Sequence, residues 1–448
     1  MDIQTISKAI NGKIFNEINL RLNQELLRIS TDSRSIGAGD IFLALRGDNF
    51  DGHNFVNRAI EQGAIAIIVE QPCPGVPSTI AQVVVKDTLL AYQDLSKWWR
   101  SQFKIPVIGI TGSVGKTTTK ELIAAALGTQ GKVHKTTANF NNEIGVPKTL
   151  LEIKPHHDFA IIEMAMRGRG EIALLGQIAQ PDIAVITNVG TAHIGRLGSR
   201  EAIAAAKCEL LETLNPQATA ILNYDYSLLM ATASKVWQGP TITYGFTGGD
   251  LQGEILDPYT LKVGNQSFQL PLPGEHIGSN FLAALAIAQL LNIPWDQLKQ
   301  GLQVDALQGR SQRYTLEPDI VILDETYNAG LESMVAALDL LAQTPGQRKI
   351  AVLGTMKEQG DFAEELHTKV GHHVQTLGLD HLFVLTDDPT AQAIAAGATG
   401  INTDCYDRHD QLFAAIKQFI QPGDRLLFKA SNSVGLGTIV GQLTKESS

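Results

Sequence analysis

Hydrophobic residues along the chain fall into short apolar runs, which alternate with segments where apolar residues recur at helical spacing. The runs predict buried strands at 41–45, 64–69, 105–110, 159–162, 183–186, 220–222, 320–323, 350–353, 382–385 and 425–428. The periodic segments predict helices at 55–62, 88–101, 200–214 and 280–291. Apolar strands alternating with helices indicate an α/β fold class with mainly parallel sheets covered on both faces.

The length of 448 residues suggests roughly three domains of about 150 residues each. We expect a small N-terminal α/β domain over 1–103, a central domain with a mainly parallel sheet over 104–305, and a C-terminal Rossmann-like α/β domain over 306–448. Residues 104–106 are the expected linker between the first two. Ligands of such sheets bind at the carboxyl ends of the strands, so polar residues that follow strands are the functional candidates.

The strand at 105–110 is followed by a glycine-punctuated turn, Thr111–Gly115, and by a helix that opens with Lys116 and Thr117. Strand, Gly-rich turn and helix in that order are the setting of a phosphate-binding loop. The first turn of a helix has unpaired N–H groups and a partial positive charge, and glycine lets backbone approach phosphate closely. Lys116 would supply a charge for the outer phosphates, and the Thr117 hydroxyl would ligate Mg²⁺.

The glycine spacing departs from that of most P-loops. Ile110 occupies the position of the usual first glycine, and glycines stand instead at 109, 112 and 115. This TGxxGKT variant indicates a narrower group than P-loop proteins at large. An ordinary glycine-rich turn is the alternative, and the GKT triplet between a strand and a helix disfavours it.

Glu163, His193 and Lys207, which follow the loop in the sequence, are candidates for a metal site. Glu163 directly follows the strand at 159–162, where a carboxylate would hold Mg²⁺; the alternative is a solvated carboxylate at a strand end. His193 lies in a loop, where a lone histidine most often has no special role, although neutral imidazole is a metal ligand. The sequence alone predicts Lys207 as a solvent-facing lysine of an Ala-rich helix, but a lysine also reacts with CO₂ to give a carbamate that bridges two Mg²⁺ ions.

The N-terminal and C-terminal domains contain polar segments that are unusual for a purely structural role. Thr31–Arg34 and Leu45–His53 combine turn residues with donors suited to a polar ligand, and solvated loops are the alternative. Gly309–Arg310 and Asp324–Asn328 open the third domain. An arginine there would reach a γ-phosphate when the domains close, whereas ion pairing within the domain is the competing interpretation.

Composition narrows the class of protein. The net charge of −10 gives no basic footprint for nucleic acid. Three widely separated cysteines predict neither a disulfide framework nor a zinc site, which favours a reducing cytoplasm. The first residues lack the pattern of a signal peptide, and no apolar stretch is long enough for membrane insertion.

Together the motifs resemble the Mur ligase family, the ATP-dependent amide ligases of peptidoglycan precursor synthesis. The resemblance covers nearly the whole chain and rests on Thr111–Thr117, Thr137–Pro147, Glu163–Arg167, Asn188–His193, Ala206–Glu209, Gly274–Asn280, Gly309–Arg310 and Asp324–Ala329. The members that join D-alanyl-D-alanine to UDP-N-acetylmuramoyl-tripeptide are the most similar, through Thr31–Arg34, Phe42–His53 and Val352–Gly360. Thr355 and Gly330 depart from residues common in the family, near the presumed dipeptide site.

The resemblance implies roles for individual residues. ATP would be bound by Thr111, Gly112, Ser113, Val114, Gly115, Lys116, Thr117, Thr118, Asn280 and Arg310. Two Mg²⁺ ions would be held by Thr117, Glu163, His193 and a carbamylated Lys207. Catalysis would depend on Lys116, His193, Lys207, Arg310 and Asp324. The UDP moiety would contact Ser33, Arg34 and Arg46, and the incoming dipeptide would contact Asn328 and Glu358.

The implied activity is ATP-dependent amide-bond formation through an acyl phosphate, in cytoplasmic cell-wall synthesis. The alternative is a sister Mur-type or folylpolyglutamate-type ligase that adds a different amino acid. A nucleotide-dependent regulator without ligase chemistry is disfavoured by the joint presence of Glu163, His193 and Lys207. The expected partners are small-molecule substrates, without nucleic acid or membrane insertion, and the expected state is a monomer.

Overall fold

A computed structural model describes residues 2–16, 20, 22–23, 27–47, 49–304 and 312–445. Three main sheets follow one another along the chain, and each is flanked by helices. The α/β class with three domains is therefore confirmed. The exact domain bounds at 103/104 and 305/306 stay predictions, the second lying outside the described residues.

The N-terminal domain is built on a five-stranded sheet of order β1-β7-β6-β3-β2, in which only β1 runs antiparallel to its neighbour. A two-stranded ribbon, β4 with β5, lies apart from it. The strands are β1 (Lys13–Phe15), β2 (Ile29–Ser30), β3 (Ile41–Leu43), β4 (Arg46–Gly47), β5 (Phe50–Asp51), β6 (Ala66–Val69) and β7 (Ala81–Val84). The helices are α1 (Ile3–Ala9), α2 (Val56–Glu61) and α3 (Thr88–Ser101).

The central domain has a nine-stranded sheet of order β16-β15-β14-β13-β12-β11-β8-β10-β9, parallel except for its last hairpins. Its strands are β8 (Val107–Thr111), β9 (Val133–Lys135), β10 (Phe159–Glu163), β11 (Ile183–Ile186), β12 (Thr219–Asn223), β13 (Thr241–Gly245), β14 (Leu251–Asp257), β15 (Thr260–Val263) and β16 (Gln266–Gln269). Its helices are α4 (Lys116–Gly128), α5 (Gly145–Leu151), α6 (Glu171–Ala179), α7 (Ile194–Leu197), α8 (Arg200–Glu212), α9 (Ser227–Val236) and α10 (Glu275–Leu290).

The C-terminal domain has a six-stranded sheet of order β17-β18-β22-β19-β20-β21, in which the edge strand β17 alone is antiparallel. Its strands are β17 (Gln312–Leu316), β18 (Ile320–Asp324), β19 (Arg348–Leu353), β20 (His381–Leu385), β21 (Thr403–Tyr406) and β22 (Asp424–Lys429). Its helices are α11 (Leu331–Gln343), α12 (Ala363–Leu377), α13 (Gln392–Gly397), α14 (His409–Phe419) and α15 (Leu436–Lys445).

Helix α3 joins the first domain to the second. The Trp99 indole donates to the carbonyl of Ile153 over 3.0 Å, and Arg100 pairs with Asp182 at 2.8 Å. Trp99 also belongs to the apolar core of the N-terminal domain. One helix therefore contributes to the packing of both domains.

Buried residues of the central and C-terminal domains form one continuous apolar cluster. It includes Ile194 of the central domain and Met334 of the C-terminal domain. Among the described residues, none of the helices combines the length and the apolar composition that a membrane span requires.

Candidate active site

The phosphate-binding loop lies between β8 and α4, as the sequence predicts. Gly115 caps α4 with a left-handed φ of 79°, which favours glycine, and a Cβ there would lie 2.7 Å from Asn280 Oδ1. At Gly112 a Cβ would lie only 1.9 Å from Thr187 Oγ1. The Lys116 ammonium donates to the carbonyl of Gly112 over 2.8 Å. Thr187 and Asn280 thus pack closely against the loop, and the Lys116 side chain folds back onto the loop backbone.

Asn188, which follows strand β11, braces this loop. Its side-chain oxygen accepts hydrogen bonds from the amides of Ser113 (3.1 Å) and Val114 (2.9 Å), and its Nδ2 donates to the Val114 carbonyl over 2.9 Å. Thr187 Oγ1 donates to the same carbonyl over 2.7 Å. These contacts occupy two loop amides, so the amides from Gly115 onward, at the start of α4, are left to face an anion.

Glu163 lies at the end of β10, one strand away from the loop. Its side chain is buried, which excludes the solvated strand-end carboxylate. Oε1 accepts a hydrogen bond from Asn141 Nδ2 over 2.9 Å, whereas the buried Oε2 has no hydrogen-bond partner among the residues that the structure describes. The Lys120 ammonium lies 3.9 Å from Oε2, beyond hydrogen-bond reach. A buried carboxylate oxygen without a donor is expected to have a ligand when the site is filled.

Lys207 is buried, with 2% of its surface exposed, so the prediction of a solvent-facing lysine is wrong. Helix α8 turns this residue inward, and no hydrogen bond or ion pair reaches its ammonium from the described residues. Burial lowers the pKa of Lys207 well below its usual value, and the nearby cation of Lys116 lowers it further.

His193 stands at the start of α7 with a left-handed φ of 64°. Burial lowers its pKa, and Lys116 and Lys207 both lie close enough to act on it electrostatically. Its Nδ1 lies 2.5 Å from Glu358 Oε2 of the C-terminal domain. The candidates at 116, 193 and 207 therefore surround one region, and Glu358 reaches it from the next domain.

A second carboxylate of the C-terminal domain contacts the same loop. Glu332, in the first turn of α11, accepts hydrogen bonds from the amide of Thr191 (2.8 Å) and from its hydroxyl (3.1 Å). Two other candidates of this domain, Asp324 and Asn328, form hydrogen bonds within the domain. Asp324 accepts from the Thr326 hydroxyl over 2.7 Å, and the Asn328 carbonyl accepts from the buried Lys429 ammonium over 2.7 Å.

The candidates of the N-terminal domain form contacts within that domain. Arg34 pairs with Asp32 at 2.8 Å and holds the pKa of that carboxyl at about 2. Arg46 bridges Asp51 and Glu70, at 3.1 and 2.8 Å. The Arg34 side chain is 76% exposed and the Arg46 side chain 48%, so both are open to an anionic ligand. Ser33, in contrast, is buried.

Arg310 lies outside the described residues, so its predicted contact with ATP stays a prediction. Other site residues escaped the sequence analysis, notably Lys120, Asn141, the bracing role of Asn188, and Glu332. Asn141 lies inside the motif Thr137–Pro147, so the sequence alone could have identified it as a candidate. The sequence gave no indication of a role for Glu332 in the site. Acidic residues are common in the first turn of helices, where they stabilise the helix itself.

Three family models match successive parts of the chain. They are described as "Mur ligase family, catalytic domain" over residues 26–95, "Mur ligase middle domain" over 110–288, and "Mur ligase, glutamate ligase domain" over 309–432. The three matches follow the order of the three sheets.

Full-length relatives agree with these matches. A UDP-N-acetylmuramoyl-tripeptide--D-alanyl-D-alanine ligase from Synechocystis sp. is 57% identical over 99% of this chain and 97% of its own. One of the same name from Bacillus subtilis is 35% identical over 98% of both chains. Among solved structures, MurF from Acinetobacter baumannii superposes with a TM-score of 0.88 at 32% identity, covering 99% of this chain and 98% of its own. A MurF ligase from Thermotoga maritima in complex with ADP gives 0.84 at 28% identity, over 95% of this chain and 99% of its own. The chain belongs to the Mur ligase family.

Proposed function

We propose that this protein is an ATP-dependent, ADP-forming ligase that joins D-alanyl-D-alanine to UDP-N-acetylmuramoyl-tripeptide in peptidoglycan precursor synthesis. The observation that carries the proposal is the 57% identity, over nearly the whole of both chains, to a ligase of that name. The site agrees with it, since the buried Glu163 ends the strand beside the one that leads into the phosphate-binding loop, and the buried Lys207 lies near Lys116 of that loop and near His193, which contacts Glu358 of the C-terminal domain.

The residues present suit ATP and Mg²⁺. The amides at the start of α4 and the Lys116 ammonium would hold the phosphates, and Asn280, which lies against Gly115, would contact the nucleotide. Thr117, Glu163 and His193 would hold magnesium. Hydroxyl and carboxylate oxygens are its usual protein ligands, and the buried Glu163 Oε2 has no hydrogen-bond partner among the described residues. Bound magnesium would neutralise charge on the phosphates.

We further propose that Lys207 is carbamylated in the active enzyme. A buried ammonium close to a second cation, with no carboxylate from the described part of the chain paired with it, is an unfavourable arrangement. A lowered pKa provides the neutral amine that adds to CO₂, and the carbamate formed would be an anion suited to the metal site. Carbon-13 NMR of the protein in labelled bicarbonate should show one carbamate signal, absent from Lys207→Gln.

The chain's own residues then account for the two chemical steps. Lys116 and the α4 amides orient the γ-phosphate for in-line attack by the tripeptide carboxylate, giving an acyl phosphate and ADP. The dipeptide amine next attacks the acyl carbon, and phosphate leaves. Contact between the loop carrying His193 and the C-terminal domain would exclude water from the acyl phosphate.

The outer domains would bind the two substrates. Arg34 and Arg46 are exposed cations suited to the diphosphate of the UDP moiety, and Ser33, which precedes Arg34, would contact the same ligand. Asn328 and Glu358 would contact the incoming dipeptide, Glu358 through its carboxylate and the dipeptide amine. Asp324 and Arg310 would act on ATP from the C-terminal domain.

The proposal is tested by phosphate release from ATP with the UDP-tripeptide and a panel of acceptors. D-Alanyl-D-alanine should support release and yield a product longer by two residues, whereas single free amino acids should not. Full activity with one free amino acid would favour the sister ligase. No release with any acceptor, compared with a Lys116→Met control, would favour a regulator without ligase chemistry.

We place the enzyme in the cytoplasm, as a monomer. Free Cys73, Cys208 and Cys405 suit a reducing compartment, and ATP is available there. Sedimentation at micromolar concentration would test the monomer.

A further inference from the structure

The segment between β11 and His193 is held at three successive residues. The Val189 carbonyl accepts a hydrogen bond from Arg200 over 3.2 Å, and the Gly190 amide donates to the Ser113 hydroxyl of the phosphate loop over 2.9 Å. The amide and hydroxyl of Thr191 both donate to Glu332. The first two contacts lie within the central domain, whereas the third comes from the C-terminal domain.

Glu332 is well suited to this contact. It belongs to the first turn of the thirteen-residue helix α11, where the helix dipole favours a carboxylate. Thr191 is buried, so its two donors would otherwise need another partner away from water. Gly190 leaves room for the carboxylate, because a Cβ at that position would lie 2.5 Å from Glu332 Cδ.

The contact leads directly to the nucleotide loop. Thr191 is one residue from Gly190, which donates to Ser113, and three residues from Asn188, which accepts from the Ser113 and Val114 amides. It also lies two residues before His193. A shift of Thr191 would therefore disturb both the brace of the phosphate loop and the placement of a candidate metal ligand.

We infer that Glu332 is a positioning residue, which fixes the 188–193 loop from the C-terminal domain and so makes tight nucleotide binding depend on docking of that domain. This inference rests on the proposed function, because it assumes that the braced loop binds ATP. Glu332 touches no reacting group. It acts through Thr191.

The test compares Glu332→Ala, Glu332→Gln and Thr191→Val by calorimetric titration with ADP and by steady-state kinetics. Hydrogen bonds to a charged group are worth roughly tenfold or more in an equilibrium constant. Glu332→Ala should therefore raise the Kd for ADP and the KM for ATP about tenfold, and Glu332→Gln, which still accepts from the Thr191 amide, should recover part of the loss. The Glu332→Ala and Thr191→Val effects should be less than additive in the double variant.

Gly190→Ala gives an independent perturbation of the same contact. Its new methyl group should displace the Glu332 carboxylate and weaken ADP binding, yet cause little further loss in a Glu332→Ala background. Glu365→Ala removes an exposed carboxylate of the same domain and is the matched control, expected to leave ADP binding unchanged. Unfolding midpoints of all variants identify any that fail to fold.

The outcomes separate this inference from the proposed function. If the wild-type protein binds no ADP, the proposed function fails. If the wild-type binds ADP and folded Glu332→Ala and Glu332→Gln bind it equally well, the positioning role is overturned. An equal loss in the glutamine and alanine variants, with additive effects in the double variant, would also overturn it.

Discussion

Gly195→Ala is expected to act as a wedge between the central and C-terminal domains. Gly195 lies in the short helix α7, directly after the candidate ligand His193 and Ile194. A Cβ built on it would lie 2.4 Å from the amide nitrogen of Gly360 and 2.6 Å from the carbonyl carbon of Gln359. Both neighbours are backbone atoms of the C-terminal domain, so no side chain can rotate away.

The size of the effect follows from these distances. Ordinary contact of a Cβ begins at 3.4 Å, so the two backbones must separate by about 1 Å. That shift would pull Glu358, the residue before Gln359, away from His193, where Oε2 and Nδ1 are now 2.5 Å apart. Overpacking of this kind costs about 1–3 kcal/mol, which corresponds to a loss of roughly 5- to 150-fold if it falls on the catalytic step.

Turnover should be measured as phosphate release at saturating substrates, beside the thermal unfolding midpoint. We expect kcat to fall within that range while the midpoint changes little, because domain separation relieves the clash without unfolding either core. Gly441→Ala is the matched control, since a Cβ there meets nothing within 4 Å. If folded Gly195→Ala keeps more than half of the wild-type turnover, the close approach of the two domains is not part of the catalytic arrangement.

Three further predictions concern single side chains. Lys116→Met should lower phosphate release at least about 100-fold with little change in the unfolding midpoint, because the Lys116 ammonium donates to the Gly112 and Ser113 carbonyls of its own loop and the loop is braced independently by Asn188; an active variant would remove Lys116 from catalysis. Glu163→Gln should raise the magnesium concentration for half-maximal activity about tenfold or more, and an unchanged magnesium titration would contradict its role as a ligand. Burial lowers the pKa of His134, so below about pH 6.5 the unfolded chain binds a proton that the folded protein does not. The unfolding midpoint should therefore fall on acidification, less steeply in His134→Gln, and equal slopes would refute this.

Local patterns predicted the phosphate-binding loop and ten of the parallel strands, namely β3, β6, β8, β10, β11, β12, β18, β19, β20 and β22. Helix α3 spans the predicted residues 88–101, and Glu163 follows its strand as expected. The other described strands were not predicted, because most of them have five residues or fewer or lie at sheet edges and in hairpins, with mixed polar and apolar residues; they are β1, β2, β4, β5, β7, β9, β13 to β17 and β21. Their apolar residues do not form the longer runs by which the other strands were predicted.

The site was harder to predict than the sheets. Lys207 has the same neighbours in sequence whether it faces solvent or the core, and only the packing of α8 decides between them. Lys120, which closely follows the GKT triplet, drew no prediction from the sequence, and its buried ammonium lies between Glu121 and the Thr136 carbonyl. Contacts such as Glu332 with Thr191 join residues 141 positions apart, and no local pattern contains them.

In the proposed reaction, one site between the central and C-terminal domains activates the tripeptide carboxylate as an acyl phosphate before the amine attacks. Isotope transfer tests it most directly. With oxygen-18 in the terminal carboxylate of the UDP-tripeptide, turnover with ATP and D-alanyl-D-alanine should move one labelled oxygen into each phosphate released, detected by phosphorus-31 NMR. Amide product accompanied by unlabelled phosphate would contradict the account.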